Sequence, residues 1–341
     1  MTTMCMKPWT SLARLVYVLA LIILPASPAN AREILRIAAW AGYADADLVK
    51  AFEQRLQVDV EVTLVNSDDD LWEKINRNTF DVFAVNTAEL QRYIAQNKVA
   101  PLDLTHIPNH AGQLPRFQKL TEIPGLIHGD QLYALPYTYA EMGLIYNRKL
   151  VKETPQSMAA LWDPRYRGQV LAFNASNHNF SLVALLMGFD PFQITDAQLE
   201  QAAQKLVSLR RNVLTFYATA EEAVNLFTRY EIALIFGNYG SQQVKALREA
   251  GADIGYVIPE EGALAWLDCW AVTTHAPNKA LAAQWIDYTL ESAVSRRLTE
   301  KHGLANTVIP FPDSTPADKL IWLQPLREPI KRKQLDRKSV V

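Results

Sequence analysis

Short apolar stretches alternate with amphipathic ones along the chain from Glu33 onward. Residues 34–39 form an apolar run interrupted only by Arg36, which is typical of a strand covered on both faces. Residues 45–57 place their apolar side chains on one helical face, and residues 58–64 alternate apolar and polar positions like a half-buried strand. This strand–helix–strand order predicts an α/β fold in which helices flank mixed, mostly parallel sheets.

The same alternation continues through the rest of the chain. Further strands are predicted at residues 80–85, 169–173, 232–236 and 254–258, and further helices at 67–75, 179–187, 195–210, 219–230 and 241–250 and after Asn278. Two such α/β units, crossed more than once by the chain, predict a two-lobed protein with a ligand cleft between the lobes. We assign residues 32–137 plus 267–303 to lobe 1, and residues 138–266 plus 304–341 to lobe 2.

Aromatic and polar side chains follow two strands of the first unit. Trp40 and Tyr43 come after the first strand, and Asn86 and Thr87 come after the third. Ligands of open α/β sheets bind beyond the carboxyl ends of the strands. We therefore expect these four residues at one edge of the cleft.

A later apolar strand, within residues 259–273, contains a carboxylate. Trp266 and Asp268 are two positions apart, so they share one face of this strand. A buried carboxylate beside an indole ring suits an alkylammonium ion, through a charge-assisted hydrogen bond and a cation–π contact. The alternative is a core tryptophan beside an aspartate that caps a loop or meets an arginine.

The N-terminus has the features of an export signal. Lys7 and Arg14 precede a short apolar segment, residues 15–24, and residues 29–31 read Ala-Asn-Ala, a small-x-small cleavage site. We predict a cleaved signal peptide at residues 1–31 and a periplasmic location. The formal net charge of −2 becomes −4 when Lys7 and Arg14 are removed with this segment.

Several chemistries are not indicated. The sequence lacks a nucleophile elbow, a Walker loop and a dinucleotide-binding glycine loop, so we predict no enzyme and no cofactor. His106 and His110 have the spacing of a metal pair, but Pro108 between them disfavours the helix that such a pair needs. The acidic balance disfavours nucleic acid as a partner. The basic run at residues 331–333 is typical of a solvated tail.

Six segments of the chain form a recognisable set: AWAGY at residues 39–43, FDV at 80–82, LPY at 135–137, GLIYN at 143–147, LWDPRYRG at 161–168 and EGALAWLDCW at 261–270. In these segments, and across nearly all of its exported part, the sequence resembles the periplasmic polyamine-binding proteins, which are the spermidine/putrescine receptors of ABC importers. The resemblance implies a type II periplasmic binding protein whose lobes close on the ligand. It also implies that Trp40 and Tyr43 flank the aliphatic part of the ligand and that Trp266 and Asp268 bind an amine.

The sequence departs from the family pattern at the other end of the site. The family places acidic residues for a second amine in a segment that corresponds to residues 174–179, which here reads NASNHN and has no carboxylate. Phe236 stands where the family has an aromatic wall. We therefore expect an amine-bearing ligand with its cationic end on Asp268 and a polar end near Asn174 and Ser176.

The resemblance implies a membrane partner. The principal expectation is delivery of the small amine, a polyamine or a related compound, to a membrane ABC permease. The alternative is a sensory receptor that docks on a membrane signalling protein, and a more remote one is an exported enzyme. A monomer is expected by analogy of fold.

Overall fold

The computed structural model describes residues 1–2, 32–310, 319–326, 331–332 and 334–335. The predicted signal peptide, apart from Met1 and Thr2, lies outside the described residues. In the described part of the chain, no helix is long and apolar enough to cross a membrane.

The elements alternate as the sequence pattern predicted. The strands are β1 (Ile34–Ala39), β2 (Asp59–Leu64), β3 (Val82–Asn86), β4 (Val99–Ala100), β5 (Ile127–His128), β6 (Gln131–Leu132), β7 (Leu135–Glu141), β8 (Gly143–Asn147), β9 (Val170–Phe173), β10 (Val213–Tyr217), β11 (Leu234–Gly237), β12 (Ile254–Val257), β13 (Ala263–Thr273), β14 (Ala305–Asn306) and β15 (Leu320–Trp322). The helices are α1 (Ala46–Leu56), α2 (Asp68–Arg77), α3 (Thr87–Ala95), α4 (Pro115–Gln118), α5 (Ser176–Leu186), α6 (Asp196–Leu209), α7 (Ala220–Arg229), α8 (Gly240–Glu249), α9 (Lys279–Thr289) and α10 (Ser292–His302).

Two larger sheets organise these elements. The first has the order β14-β7-β13-β3-β1-β2, with β4 and β15 also paired to β13, and the second has the order β10-β9-β11-β8-β12. The chain passes from the first sheet to the second at Met142, between β7 and β8, and returns between β12 and β13. The lobe boundaries predicted above remain a prediction.

Both sheets are mixed, and they contain fewer parallel pairs than the pattern suggested. β1 pairs in parallel with β2 and β3, whereas β13 is antiparallel to β3 and β7. In the second sheet β9 is parallel to β10 and β11, whereas β8 is antiparallel to β11 and β12. The reason is that no helix precedes β8 or β13, so these strands do not arrive by the helical crossover that makes neighbours parallel.

Each sheet buries apolar side chains on both faces. In β13, Trp270 belongs to one core cluster and Cys269 to the cluster on the opposite face, and both side chains are fully buried. In β8, Leu144 and Ile145 divide in the same way between the two clusters of the second sheet. This explains the apolar runs that predicted strands covered on both faces.

The basic run near the C-terminus is not simply solvated, and that expectation was wrong for Arg332. Its guanidinium is fully buried and donates to Ser181 Oγ at 3.1 Å and to the carbonyl oxygen of Pro191 at 2.9 Å. Lys331 pairs with Asp196 at 2.9 Å. These contacts fix the end of the described chain against α5 and the start of α6.

Asp81 joins several elements of the first sheet. It is fully buried at the start of β3, and its carboxylate accepts from the backbone N–H groups of Arg36 and Asn278, both at 2.8 Å. The side chain of Asn278 in turn caps α9 by accepting from the backbone N–H of Leu281. Asp81 therefore ties β1, β3 and the start of α9 together.

Replacing Asp81 by alanine is expected to lower the free energy of unfolding by at least about 2 kcal/mol, because two backbone donors lose their acceptor. Urea denaturation measures the change. The matched control is Asp130→Ala, at an exposed position between β5 and β6, which is expected to stay within about 0.5 kcal/mol of the original protein. Equal midpoints for the two variants would contradict this role of Asp81.

Candidate functional site

A cleft of about 950 Å³ opens between elements of the two sheets. Its lining on the side of the first sheet includes Trp40, Tyr43, Asp68, Asn86, Trp266 and Asp268. The side of the second sheet contributes residues of α5, the start of α7 and the start of α8. Residues 323–326, which follow β15, complete the wall.

Asp268 is the most buried carboxylate of this lining. It lies on β13 and is only 7% exposed, and its Oδ2 accepts from the hydroxyl of Tyr43 at 2.6 Å. Burial raises the pKa of Asp268 to about 7, against the opposing effect of that hydrogen bond. The register between β13 and β7 shifts between Asp268 and Cys269, and such irregularities re-aim side chains next to functional sites.

Tyr43 supports Asp268 from the loop after β1. Its ring is 3% exposed and packs edge-on against Tyr137, with ring centroids 5.4 Å apart. Burial first, and then the charge of Asp268, raise the pKa of Tyr43 well above its ordinary value, so its hydroxyl remains a donor. Gly42, at φ 91°, makes the preceding turn, and a side chain there would meet the ring of His302.

Two half-buried tryptophans, Trp40 and Trp266, line the cleft wall. The indole N–H of Trp266 donates to the carbonyl oxygen of Asn238 at 3.1 Å, which fixes this ring of the first sheet against the end of β11. The side chain of Asn238 is in turn 2.7 Å from Nδ1 of His178. Burial lowers the pKa of His178, although its bond to Asn238 opposes the shift, so a neutral imidazole faces the cleft at pH 7.

Asp68 is a second cleft carboxylate, which the sequence analysis did not assign to the site. It is the first residue of α2 and is half-buried, and its Oδ1 accepts from Asn86 Nδ2 at 2.8 Å. Burial, followed by the charges of Glu89, Asp268 and Asp69, raises the pKa of Asp68 to about 7, whereas the bond from Asn86 lowers it. Residues 67–70 lie at the start of the helix predicted at 67–75, and the side chain of Ser67 caps this helix by accepting from the backbone N–H of Asp70. An aspartate at the start of a helix is expected from helix capping and from ligand binding alike, so the local sequence does not distinguish the two roles.

Other acidic side chains surround Asp68 at the cleft. Asp69 and Glu89 both face Arg92, at 3.9 and 3.8 Å, and the guanidinium of Arg92 lies 3.8 Å from the centre of the Trp72 ring. Glu221 lines the opposite side, at the start of α7, and is exposed. The described lining thus contains five carboxylates and one guanidinium.

The structure brings Trp40, Tyr43, Asn86, Trp266 and Asp268 together on the cleft, but it places the other four predicted site residues elsewhere. Thr87 is 1% exposed and donates to the carbonyl oxygen of Leu323, because its position as the first residue of α3 turns it inward. Phe236 is 1% exposed because it lies on the central strand β11, inside a core cluster.

The segment at residues 174–179 contributes different members from those predicted. Asn174 is exposed and Ser176 begins α5, and neither lines the cleft. Asn177 and His178, one turn further along, do line it. The start of the helix decides which side chains point inward, and the sequence pattern had placed that start three residues too late, at residue 179.

The arrangement favours a cation with apolar parts. Carboxylates and indole rings both attract alkylammonium groups, and the cleft provides both on one wall. His106 and His110 lie elsewhere: His106 faces Asp103 at 3.7 Å, and Nδ1 of His110 is 2.6 Å from the carbonyl oxygen of Ile107. Within the described ranges, no three His, Cys, Asp or Glu residues are grouped to hold a metal ion.

Two mixed sheets with flanking helices and a polar cleft between them define a two-lobed binding protein, and comparison with known proteins gives the family. Residues 47–327 match the family model for bacterial extracellular solute-binding proteins, and the chain belongs to this family. The structure is similar to that of a putative spermidine/putrescine ABC transporter protein from Listeria monocytogenes, with a TM-score of 0.78 and 22% identity, covering 91% of this chain and 99% of that one. The fold is that of the type II periplasmic binding proteins, as predicted.

Two curated relatives match most of the chain. The putrescine-binding periplasmic protein PotF of Escherichia coli is 26% identical over 293 residues, which are 81% of this chain and 78% of that protein. The norspermidine sensor of Vibrio cholerae is 22% identical over 303 residues, which are 86% of this chain and 81% of the sensor.

The raised pKa of Asp268 predicts a pH-dependent stability of the ligand-free protein. In the unfolded chain this carboxyl titrates near its ordinary value of about 3.9, so between pH 4 and 7 the folded protein binds the additional proton. The resulting stabilisation is present at pH 4 and is lost as the pH rises towards 7, by up to about 1.4 kcal/mol per pH unit.

Asp268→Asn removes the carboxyl group that takes up this proton. Urea denaturation at several pH values is expected to show that the variant gains stability over the original protein as the pH rises from 4 to 7. Parallel stability curves for the two proteins would show that Asp268 keeps an ordinary pKa in the folded state.

Proposed function

We propose that the protein is a periplasmic receptor that binds a small cationic amine in the cleft, with Asp268 as the principal counter-charge. The observation that carries this proposal is a nine-tenths buried carboxylate on the wall of an open cleft, held by a neutral tyrosine hydroxyl. Among the described residues, no lysine or arginine forms an ion pair with it. A buried carboxylate without a cation is costly, and an ammonium ion from the ligand removes that cost.

The tryptophans support the same ligand class. Trp40 and Trp266 both line the cleft that Asp268 faces, and ring faces attract alkylammonium ions and cover methylene groups. The hydrogen bond from Trp266 to Asn238 fixes its indole, so the ring is already in place before a ligand arrives. A site that is ordered in advance binds with a smaller entropic cost.

The relatives support a transport role in the periplasm. The E. coli relative is named as a putrescine-binding periplasmic protein, and the Listeria structure as a spermidine/putrescine ABC transporter protein. We propose that this chain is exported by a cleaved signal peptide and delivers a polyamine or related amine to a membrane ABC permease. It acts as a receptor rather than as an enzyme.

Asp268→Asn is expected to weaken binding of putrescine by about 10- to 150-fold, which corresponds to the roughly 1.5–3 kcal/mol of a hydrogen bond to a charged group. Asparagine keeps the size of the side chain and an acceptor for Tyr43 but removes the charge. Isothermal titration calorimetry at pH 8, where Asp268 is mostly ionised, measures the change.

The matched control is Asp130→Asn, which removes one exposed carboxylate remote from the cleft lining and is expected to bind like the original protein. An Asp268→Asn variant that binds putrescine and spermidine as tightly as this control would remove Asp268 from the site. Absence of binding of any amine to the original protein would refute the proposed ligand class.

The second candidate is a sensory receptor, and the similarity to the norspermidine sensor favours it. Both candidates use the same cleft and differ only in the membrane partner. Adjacent genes for a permease and an ATPase, and stimulation of that ATPase by the loaded protein, would establish transport. Adjacent genes for a membrane signalling enzyme whose activity changes with the loaded protein would establish sensing.

A further inference from the structure

The cleft contains a second carboxylate whose position relative to Asp268 is fixed by one residue. We propose that Asp68, held by Asn86, is the counter-charge for a second ammonium group, so that the cleft selects a dication over a monocation. This inference rests on the proposed function, in which Asp268 binds the first ammonium group. It assigns the second charge to the start of α2, on the same side of the cleft as Asp268, instead of to the segment at residues 174–179.

Asn86 connects the two carboxylates. It stands directly opposite Asp268 in the antiparallel pair of β3 and β13, and its side chain donates to Asp68 Oδ1 at 2.8 Å. Residues opposite each other in such a pair have Cβ atoms about 4.5–5.5 Å apart. Asp68 and Asp268 therefore lie on either side of one asparagine, within reach of the two ends of a small diamine.

Among the residues that the structure describes, neither carboxylate has a lysine or arginine partner. The nearby guanidinium of Arg92 is directed to Asp69 and Glu89, and in the described part of the chain no ion pair reaches Asp68 or Asp268. Asp268 accepts its described hydrogen bond on Oδ2, from Tyr43, which leaves Oδ1 for a ligand. Two such neighbouring carboxylates cannot both ionise at low cost, and a dication would allow both to do so.

The surrounding groups do not replace the missing cation. Asp68 faces Asp69, Glu89 and Tyr93 as well as Asp268, and burial keeps the phenol of Tyr93 neutral by raising its pKa. Asp268 faces Tyr43 and Cys269, whose pKa values are raised by burial and by the charge of Asp268.

The opposite wall offers acceptors for the same ligand. Oδ1 of Asn177, on α5, is a buried acceptor without a hydrogen-bond partner among the described residues. An amide oxygen of this kind accepts from an ammonium or secondary amine N–H. It therefore supports a ligand with several N–H donors.

The test compares Asp68→Asn and Asp268→Asn with two probes of equal carbon chain, putrescine and n-butylamine, by calorimetry at pH 8. Removing the second counter-charge is expected to weaken putrescine binding at least about 10-fold, while n-butylamine, which carries a single charge, changes by less than about 2-fold. Asp268→Asn is expected to weaken both probes. The matched control is Glu73→Gln, an exposed residue on the same helix that pairs with Arg77 and does not line the cleft, with an expected change in putrescine binding below about 2-fold.

Proton release gives an independent measure. Titrations at pH 7 in buffers of different ionisation enthalpy are expected to show that putrescine releases more protons than n-butylamine, and that Asp68→Asn abolishes the excess. Thermal unfolding confirms that the variant is folded, and the ligand-free variant is expected to be at least as stable as the original protein at pH 8, because an uncompensated carboxylate has been removed.

The outcomes separate this inference from the proposed function. Putrescine binding by Asp68→Asn that equals that of the original protein would overturn the role of Asp68, even if Asp268→Asn loses binding. Loss of both probes to the same extent in Asp68→Asn would also overturn it, since the effect would then not be specific to a second charge. If Asp268→Asn changes nothing, the proposed function itself fails.

Discussion

The hydrogen bond from Tyr43 to Asp268 is the contact on which the arrangement of the cleft depends. It joins the loop after β1 to β13, and thereby fixes a carboxylate that is 7% exposed on the wall of an open cavity. A neutral donor orients the carboxylate without neutralising it. In the proposed function a cationic ligand compensates this charge, so that a buried and costly group becomes a means of recognition.

The long strand β13 links that charge to both halves of the molecule. It is paired with β3 and β7 in the first sheet, and its Trp266 is bonded to Asn238 at the end of β11 in the second. One residue of this strand, Asp268, thus carries the charge, and another, Trp266, contacts the second sheet. The strand that carries the charge is therefore also in contact with the second sheet, which is the property a receptor with closing lobes needs.

Much of this could be predicted from the sequence, because strand ends and i, i+2 spacing are local signals. The strand ends predict Trp40, Tyr43 and Asn86 as site residues, and the i, i+2 spacing predicts Trp266 and Asp268. All five residues line the cleft. Phe236 and Thr87 are polar or aromatic groups at similar strand ends, yet tertiary packing turns both inward. Asp68 was missed since a helix start explains an aspartate equally well, and only the pairing of β3 with β13 brings it near Asp268.

Arg332 has a practical consequence for handling the protein. Its buried guanidinium anchors residues 331–332 against Ser181 and Pro191, and residues 323–326, earlier in the chain, form part of the cleft wall. Ser181, to which Arg332 donates, also lines the cleft. An affinity tag, a fluorophore or a truncation introduced near this anchor would therefore alter the cavity itself, so a reporter of ligand occupancy belongs on an exposed turn such as that at Asp130.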